Sequence, residues 1–300
     1  MNCVLGDTMI NFRLKTFIDL CETKSYTKTA KRLCITQPAV SQHIKYIESQ
    51  YNIKLFNYIG KTLILTKVGQ EFLDSILKLR TMSLSIENNL KKANYSAKPV
   101  SFGATRSIGE FVMPNIIKNY LSQNSYSNLS MIVDNTKNLL DMLKKGVIEF
   151  CFIEGHFNKA DYETYLMSYE DFVFVASPKN PICDKSNLKV EDLFSENLII
   201  REQGSGSRDI FEMWLFERNY TTKNFSKLLQ IGNINIIKEL VKDNYGISII
   251  YKVAVLEEIK NKELVVLDVD SMNLSHEFNF IFLKESIYAE EYIEFYNKIN

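Results

Sequence analysis

Gln37, Ser41, Gln42 and Lys45 are the side chains of this sequence best suited to touching nucleic acid: amides and hydroxyls hydrogen-bond base edges, and an ammonium pairs with phosphate. All four lie between Thr36 and Tyr51. Val40, Ile44, Ile47 and Tyr51 in the same stretch recur at spacings of four, three and four, which places them together on the other face of an α-helix. Thr36 stands where an N-cap is expected, and Pro38 fits a first turn because no intrahelical bond needs its missing N–H. On its own this is an amphipathic helix with a solvated polar face. The preceding helical stretch, Tyr26 to Leu33, joined through the tight link Cys34-Ile35, makes the pair a helix-turn-helix whose second helix enters the DNA major groove. Lys31, Arg32, Thr36, Lys54 and Lys61 are then the candidate phosphate contacts, with Pro38 in the DNA-facing turn.

A second group of residues suits a small ligand. Gly103-Ala104-Thr105-Arg106-Ser107-Ile108-Gly109 joins a strand to a helix. Thr105 and Ser107 would set hydroxyls beside free N–H groups at the helix's positive end, an arrangement that caps a helix and also suits an anion. Arg201-Glu202-Gln203-Gly204-Ser205-Gly206-Ser207-Arg208 also follows a strand and opens a helix. It is no Walker loop, since Gly-Lys-Ser/Thr is missing, and reads as a flexible turn or an anion cradle of backbone N–H groups. Ile153-Glu154-Gly155 and Gly232-Asn233 end two further strands. Thr105, Arg106, Ser107, Glu154, Gly204, Ser205, Ser207 and Asn233 are the candidate ligand contacts.

Catalytic and metal chemistry find little here. The three histidines, His43, His156 and His276, have no His or Cys partner at ligand spacing, and neither a Gly-x-Ser-x-Gly elbow nor a dinucleotide Gly-x-Gly-x-x-Gly follows the first strand. No enzyme, cofactor or metal is expected. Five scattered cysteines without C-x-x-C spacing fit a reduced, cytoplasmic chain, with Cys21 and Cys34 read as core residues. No run of about twenty apolar residues suggests a membrane span. MNCVLGDTM has neither the basic nor the apolar region of a signal peptide, and residues 1–8 read as an extension before Met9, an alternative start.

The elements that must position these residues follow from periodicity and charge. Between Ile10 and Lys67 ten Lys/Arg face three acids, a net +7, although the whole chain sums to zero. A basic head on an acidic body suits a DNA-binding domain fused to a partner domain. Leu14, Phe17, Ile18 and Cys21 give a first helix, Ser25 caps a second that turns Ala30 and Leu33 inward, and the recognition helix is the third. Lys54-Leu55-Phe56 and Thr62–Leu65, around a turn at Ile59-Gly60-Lys61, give a hairpin wing. Thr66 caps a helix to about Lys92, along which Phe72, Ile76, Leu79, Ile86 and Leu90 make an apolar stripe. After a linker at 94–99, strands and helices alternate in two halves, each with a partly parallel sheet.

The run from Phe12 to Leu73 resembles the winged helix-turn-helix of LysR-type transcriptional regulators. The matching features are Ser25-Tyr26-Thr27-x-x-Ala30, Thr36-Gln37-Pro38-Ala39-Val40-Ser41-Gln42, Ile44-x-x-x-Glu48, Leu55-Phe56 and Leu65-Thr66-x-x-Gly69. Tyr58 stands where the family usually has Arg. GATRSIGEFVMP, IEG, REQGSGSR and GNINIIKELV are similar to the branch that includes regulators of sulfur and cysteine metabolism and of carbon fixation; Arg106 and Asn235 depart from it. In that branch hydroxyls at Thr105 and Ser107 line a cleft faced by the Gly-Ser-Gly-Ser loop. The resemblance implies an α/β chain: a winged helix-turn-helix at 9–67, a dimerising linker helix at 68–96, and a two-lobed periplasmic-binding-protein-like effector domain at 97–300. Lobe 1 would take about 97–165 and 270–300, and lobe 2 about 166–269, with chain crossings near 162–168 and 268–276. It further implies a homodimer or homotetramer that binds a pseudo-palindromic promoter site in double-stranded DNA, meets RNA polymerase there, and is controlled by a small anionic metabolite between the lobes. The competing reading is a small-molecule binding protein on a two-lobed fold with no DNA role.

Overall fold

The computed structural model describes residues 9–60, 62–92, 100–123, 128–270, 272–284 and 286–299. The readings that fall on residues 1–8, on Lys61 and on the linker at 94–99 lie outside the described residues. Two compact units divide the chain, one of residues 1–96 with 144–146 and the other of residues 97–143 with 147–300.

The first unit contains α1 (Phe12–Thr23), α2 (Tyr26–Leu33), α3 (Gln37–Tyr51), the hairpin strands β1 (Phe56–Ile59) and β2 (Thr62–Leu65), and α4 (Lys67–Lys92). Phe17, Leu20, Val40, Ile44, Ile47, Leu55 and Leu63 are buried at its centre. Side-chain caps start the helices. Ser25 Oγ accepts from the Lys28 amide at 3.3 Å, and Thr36 Oγ1 accepts from the Ala39 amide at the same distance. Two residues fix the wing. Glu48 accepts the Leu55 amide at 2.8 Å, pinning the turn after α3. Thr66 donates to the Lys54 carbonyl at 2.6 Å and accepts the Gly69 amide at 2.9 Å, tying the start of α4 to the same turn. A Cβ on Gly69 would lie 2.2 Å from the Leu55 carbonyl oxygen, so this close approach admits only glycine.

Two sequence readings are corrected in this unit. Tyr51 shares the helical spacing of Val40 and Ile47 but is 65% exposed, because α3 ends there and the chain turns off through Asn52 in the left-handed region. Cys34 is exposed at the left-handed C-cap of α2 and is no part of the core.

In the second unit β3 (Val100–Thr105), β4 (Leu129–Asp134) and β5 (Phe150–Ile153) form a parallel set with α5 (Arg106–Phe111), α6 (Met113–Gln123) and α7 (Thr136–Lys144). β7 (Asn197–Ile200), β8 (Lys227–Gln230) and β9 (Ile247–Tyr251) form a second parallel set with α8 (Gly206–Phe216), α9 (Ile234–Lys242) and α10 (Leu256–Lys260). The long strand β6 (Tyr162–Ala176) joins them. It pairs antiparallel with β11 (Ser275–Leu283) along Tyr162–Asp171 and then with β9 along Phe172–Val175. The stretch expected to cross between the lobes at 162–168 lies within this strand. The short β10 (Val265–Val266) pairs with the end of β6. α11 (Ala289–Ile299) closes the first lobe, with Tyr292, Phe295 and Tyr296 buried against Phe102, Phe150, Phe280 and Phe282.

Candidate functional site

Burial of Val40, Ile44 and Ile47 aims the opposite side of α3 outward. Gln37, Pro38, Gln42 and Lys45 are exposed and Ser41 is half-buried, and Gln37 Nε2 donates to Ser41 Oγ at 3.2 Å. His43, beside them, instead packs inward: its Nδ1 lies 2.9 Å from Thr16 Oγ1 and its ring meets Phe12 edge-on. The cations are used unequally. Lys31 and Lys45 are exposed, while Lys54, also exposed, lies 3.4 Å from Glu48. Arg32 spans Asp19 at 2.9 Å and Glu22 at 2.7 Å, which joins α2 to α1 and leaves its guanidinium already engaged. Thr36 is the N-cap described above. Lys61 lies outside the described residues.

In the second unit the polar residues gather where parallel strands end, as sheet geometry requires of an α/β ligand site. β3 ends at Thr105, β5 ends one residue before Glu154, β7 one residue before Arg201, and β9 at Tyr251. Thr105 and Ser107 both donate to the Glu154 carboxylate, Ser107 at 3.3 Å to Oε1 and Thr105 to Oε2. Thr105, Ser107 and Glu154 are all at most 2% exposed. Burial pushes the Glu154 carboxyl above its usual range, against the pull of the Thr105 hydrogen bond and the Arg201 charge. The expected capping of α5 is absent: Thr105 makes no side-chain cap bond, because its hydroxyl turns to Glu154.

The glycine-rich loop meets this group from the other lobe. A Cβ on Gly155 would lie 2.4 Å from Gly206 Cα, and one on Gly206 would lie 2.3 Å from the Glu154 carbonyl oxygen. Ser205 and Ser207 hydroxyls are 2.9 Å apart and buried. Gly204, in the left-handed region, accepts the Lys137 amide at 3.3 Å. The seam is thus closed by backbone, with the lobes touching at loops sequence placed on opposite walls of a cleft. Arg106 bridges it as well, donating to the Gly232 carbonyl and lying 3.8 Å from Asp134 and 3.9 Å from Glu202. Asn233 has a local role: its Oδ1 accepts the Ile236 amide at 3.0 Å and caps α9. Asn235 donates to Glu110 at 3.2 Å.

Three contributors were missed from sequence. Thr136 donates to the Glu154 carbonyl at 2.9 Å. Arg201 grips Glu202 through Nε at 2.8 Å and Nη2 at 3.1 Å, while its buried Nη1 has no partner. The Tyr251 hydroxyl is likewise buried without a partner, and burial together with the Glu154 charge pushes its pKa well up. The strand-end rule would have found Arg201 and Tyr251, since each closes or directly follows a parallel strand.

A cavity of about 370 Å³ adjoins the seam at Gly155, walled by His156, Phe157, Lys159, Tyr169, Ser275, His276 and Glu277. Its charges are matched internally: Glu277 takes Lys159 at 2.5 Å and the Tyr169 hydroxyl at 3.3 Å. Among the described residues no group of three His, Cys, Asp or Glu is placed to hold a metal, and no helix is long and apolar enough to cross a membrane.

Known proteins match both units. Residues 12–70 match the bacterial regulatory helix-turn-helix protein, lysR family, and residues 93–295 match the LysR substrate binding domain. The chain is 25% identical over 274 residues to the HTH-type transcriptional regulator CysL of Bacillus subtilis, covering 89% of each. It is 27% identical over 292 residues to the HTH-type transcriptional activator CmpR of Synechocystis, covering 94% of this chain and 93% of that one. Among solved structures, a Corynebacterium glutamicum OxyR mutant superposes with a TM-score of 0.59 at 19% identity, over 96% of this chain and 89% of the other. The Synechocystis CcmR regulatory domain in complex with 2-PG superposes with a TM-score of 0.58 at 20% identity, over 66% of this chain and 94% of that one. The helix-turn-helix match sets aside a binding protein with no DNA role. With a basic winged head and a two-lobed α/β domain matched in order along its length, the chain belongs to the LysR family of DNA-binding transcriptional regulators with an effector-binding domain.

Proposed function

We propose that the chain is a cytoplasmic homodimer, or a tetramer built from dimers, that reads a pseudo-palindromic promoter site and changes its grip on that site when a small acidic metabolite binds between the lobes. The observation that carries this reading is the polarity of α3. Val40, Ile44 and Ile47 of its apolar face are used in the core, and among the described residues the exposed Gln37, Gln42 and Lys45 with half-buried Ser41 have no side-chain bond beyond that of Gln37 to Ser41. These four are assigned to base edges, and Lys31, Lys54 and Lys61 to phosphates, with Thr36 and Pro38 setting the angle of the first turn. Arg32 is assigned to holding α1 and α2 together, given its two acidic partners.

At the seam, the Ser205–Ser207 pair keeps one hydroxyl hydrogen to give and Arg201 an unpartnered N–H, donors suited to a carboxylate, sulfate-like or phosphate group, while the Thr105 and Ser107 hydroxyls line the same wall and donate to Glu154. Gly204 gives the loop its turn, and Arg106 adds a positive charge at the seam. The chain turns over no substrate and needs no cofactor; at its promoter the protein partner is RNA polymerase. Control requires that the ligand favour one arrangement of the assembly over the other, since equal affinity for both shifts nothing.

Binding of the full-length protein to duplex DNA across a salt series tests the DNA reading. The basic head should release counterions, giving a log–log slope of about −0.9 for each phosphate neutralised and so several units in all. A nearly flat response would remove the head from the DNA face.

A further inference from the structure

Two unmet needs face each other across the seam. Glu154, on the first lobe, is a carboxylate 1% exposed, and among the described residues no Lys, Arg or His nitrogen lies within ion-pair distance of it; the Thr105 and Ser107 hydroxyls and its own backbone amide serve it. Burying a charge with so little compensation is costly. Arg201 and Tyr251, on the second lobe, have the opposite deficit. Each is buried, Arg201 Nη1 and the Tyr251 hydroxyl have no acceptor, and the Glu154 charge acts on both. Buried donors without acceptors and a buried carboxylate without a cation are rare in a finished core, and a missing ligand accounts for both at once.

A plain anion would satisfy Arg201 and Tyr251 but bring a second negative charge to Glu154. A cation would do the reverse. We infer that the effector is a zwitterion of the α-amino-acid class, its ammonium held by Glu154 with Thr105 and Ser107, and its carboxylate held by Arg201 and Tyr251. Such a ligand takes one partner from each lobe and so acts as a clasp between them. It also enters without adding net charge to a closed, low-dielectric space. The close contact of Gly155 and Gly206 shows that the lobes already meet here, so the ligand must part them slightly to seat. This inference rests on the seam being the effector site, and it narrows the acidic metabolite of that reading to one that also carries an ammonium group.

The test is thermal unfolding of the full-length protein with each of the twenty standard L-amino acids and, in parallel, with the corresponding carboxylates lacking the amino group. At least one amino acid should raise the melting temperature while its des-amino counterpart does not. Glu154→Gln should weaken that binding by about ten- to a hundredfold, the loss of one charge-assisted hydrogen bond. It should not lower the unliganded melting temperature, because burial already disfavours the charged form of Glu154. Stabilisation by des-amino carboxylates or inorganic phosphate as strong as by any amino acid would overturn the zwitterion and leave the acidic-metabolite reading standing. No shift with either set would overturn both. An amino-acid shift indifferent to Glu154→Gln would place binding elsewhere and overturn the assignment.

Discussion

Gly206→Ala is expected to spring the seam of the effector-binding unit. The added methyl would fall 2.3 Å from the Glu154 carbonyl oxygen and 2.6 Å from Thr136 Oγ1, and two of its three nearest contacts are backbone atoms that cannot swing aside. The loop from the second lobe must then back away from β5. Overpacking of this kind costs about 1–3 kcal/mol. For a unit of this size that lowers the melting temperature by roughly 3–10 °C. The larger consequence is functional, because Arg201 would move away from Glu154 and no ligand could reach both. Differential scanning calorimetry with and without the stabilising ligand reads both effects. An unchanged melting temperature with an intact ligand response would show that the lobes do not need to meet at Gly155 and Gly206.

A chain carrying Leu79→Asp and Leu90→Asp should run as a monomer and lose tight binding to a two-half-site DNA. The apolar stripe of α4 is not uniform. Phe72 packs tilted against Phe17 with ring centres 5.1 Å apart, and Ile76 is only 7% exposed, so the first turns of the stripe are consumed by the helical head. Leu79 and Leu90 are 46% and 62% exposed. Eleven residues apart, they stand on the same helical face three turns from each other, a repeat that suits a partner helix. Replacing Ile76 would damage the head itself, whereas these two substitutions touch only the exposed face. Losing the second half-site costs about a hundred- to ten-thousandfold in affinity, the usual worth of a linked second site. Light scattering and a binding titration on the same samples decide it. A dimer that persists would have to be held elsewhere.

How much of this was legible in sequence depended on how local the cause was. The helix-turn-helix could be read because each signature residue answers a nearby backbone need: Thr36 caps α3, Glu48 takes the Leu55 amide, Thr66 takes the Gly69 amide, and Gly69 fits under the Leu55 carbonyl. Tyr51 and Cys34 were misplaced because periodicity does not say where a helix stops; both sit at ends where the chain turns off. Arg32 looked like a free cation because its partners, Asp19 and Glu22, lie on a different helix. At the seam, strand ends located Thr105, Ser107 and Glu154, yet not that the hydroxyls serve the carboxylate instead of the helix. Asn233 fell at a strand end for a different reason, the capping of α9. Strand ends also point to Arg201 and Tyr251, but the unpartnered N–H and hydroxyl that set them apart are exposed only by packing in three dimensions.

The central claim is that the exposed face of α3 reads base sequence. The most direct measurement compares the affinity of the wild-type protein and of a Gln37→Ala, Ser41→Ala variant for the DNA upstream of its own gene and for random duplex at one fixed salt concentration. Lost base contacts cost about 1–3 kcal/mol each, so the preference for the cognate site should fall by at least about tenfold while binding to random DNA is retained. Equal weakening on both DNAs would contradict the account, because it would mean that Gln37 and Ser41 support the protein or its phosphate grip and do not read bases.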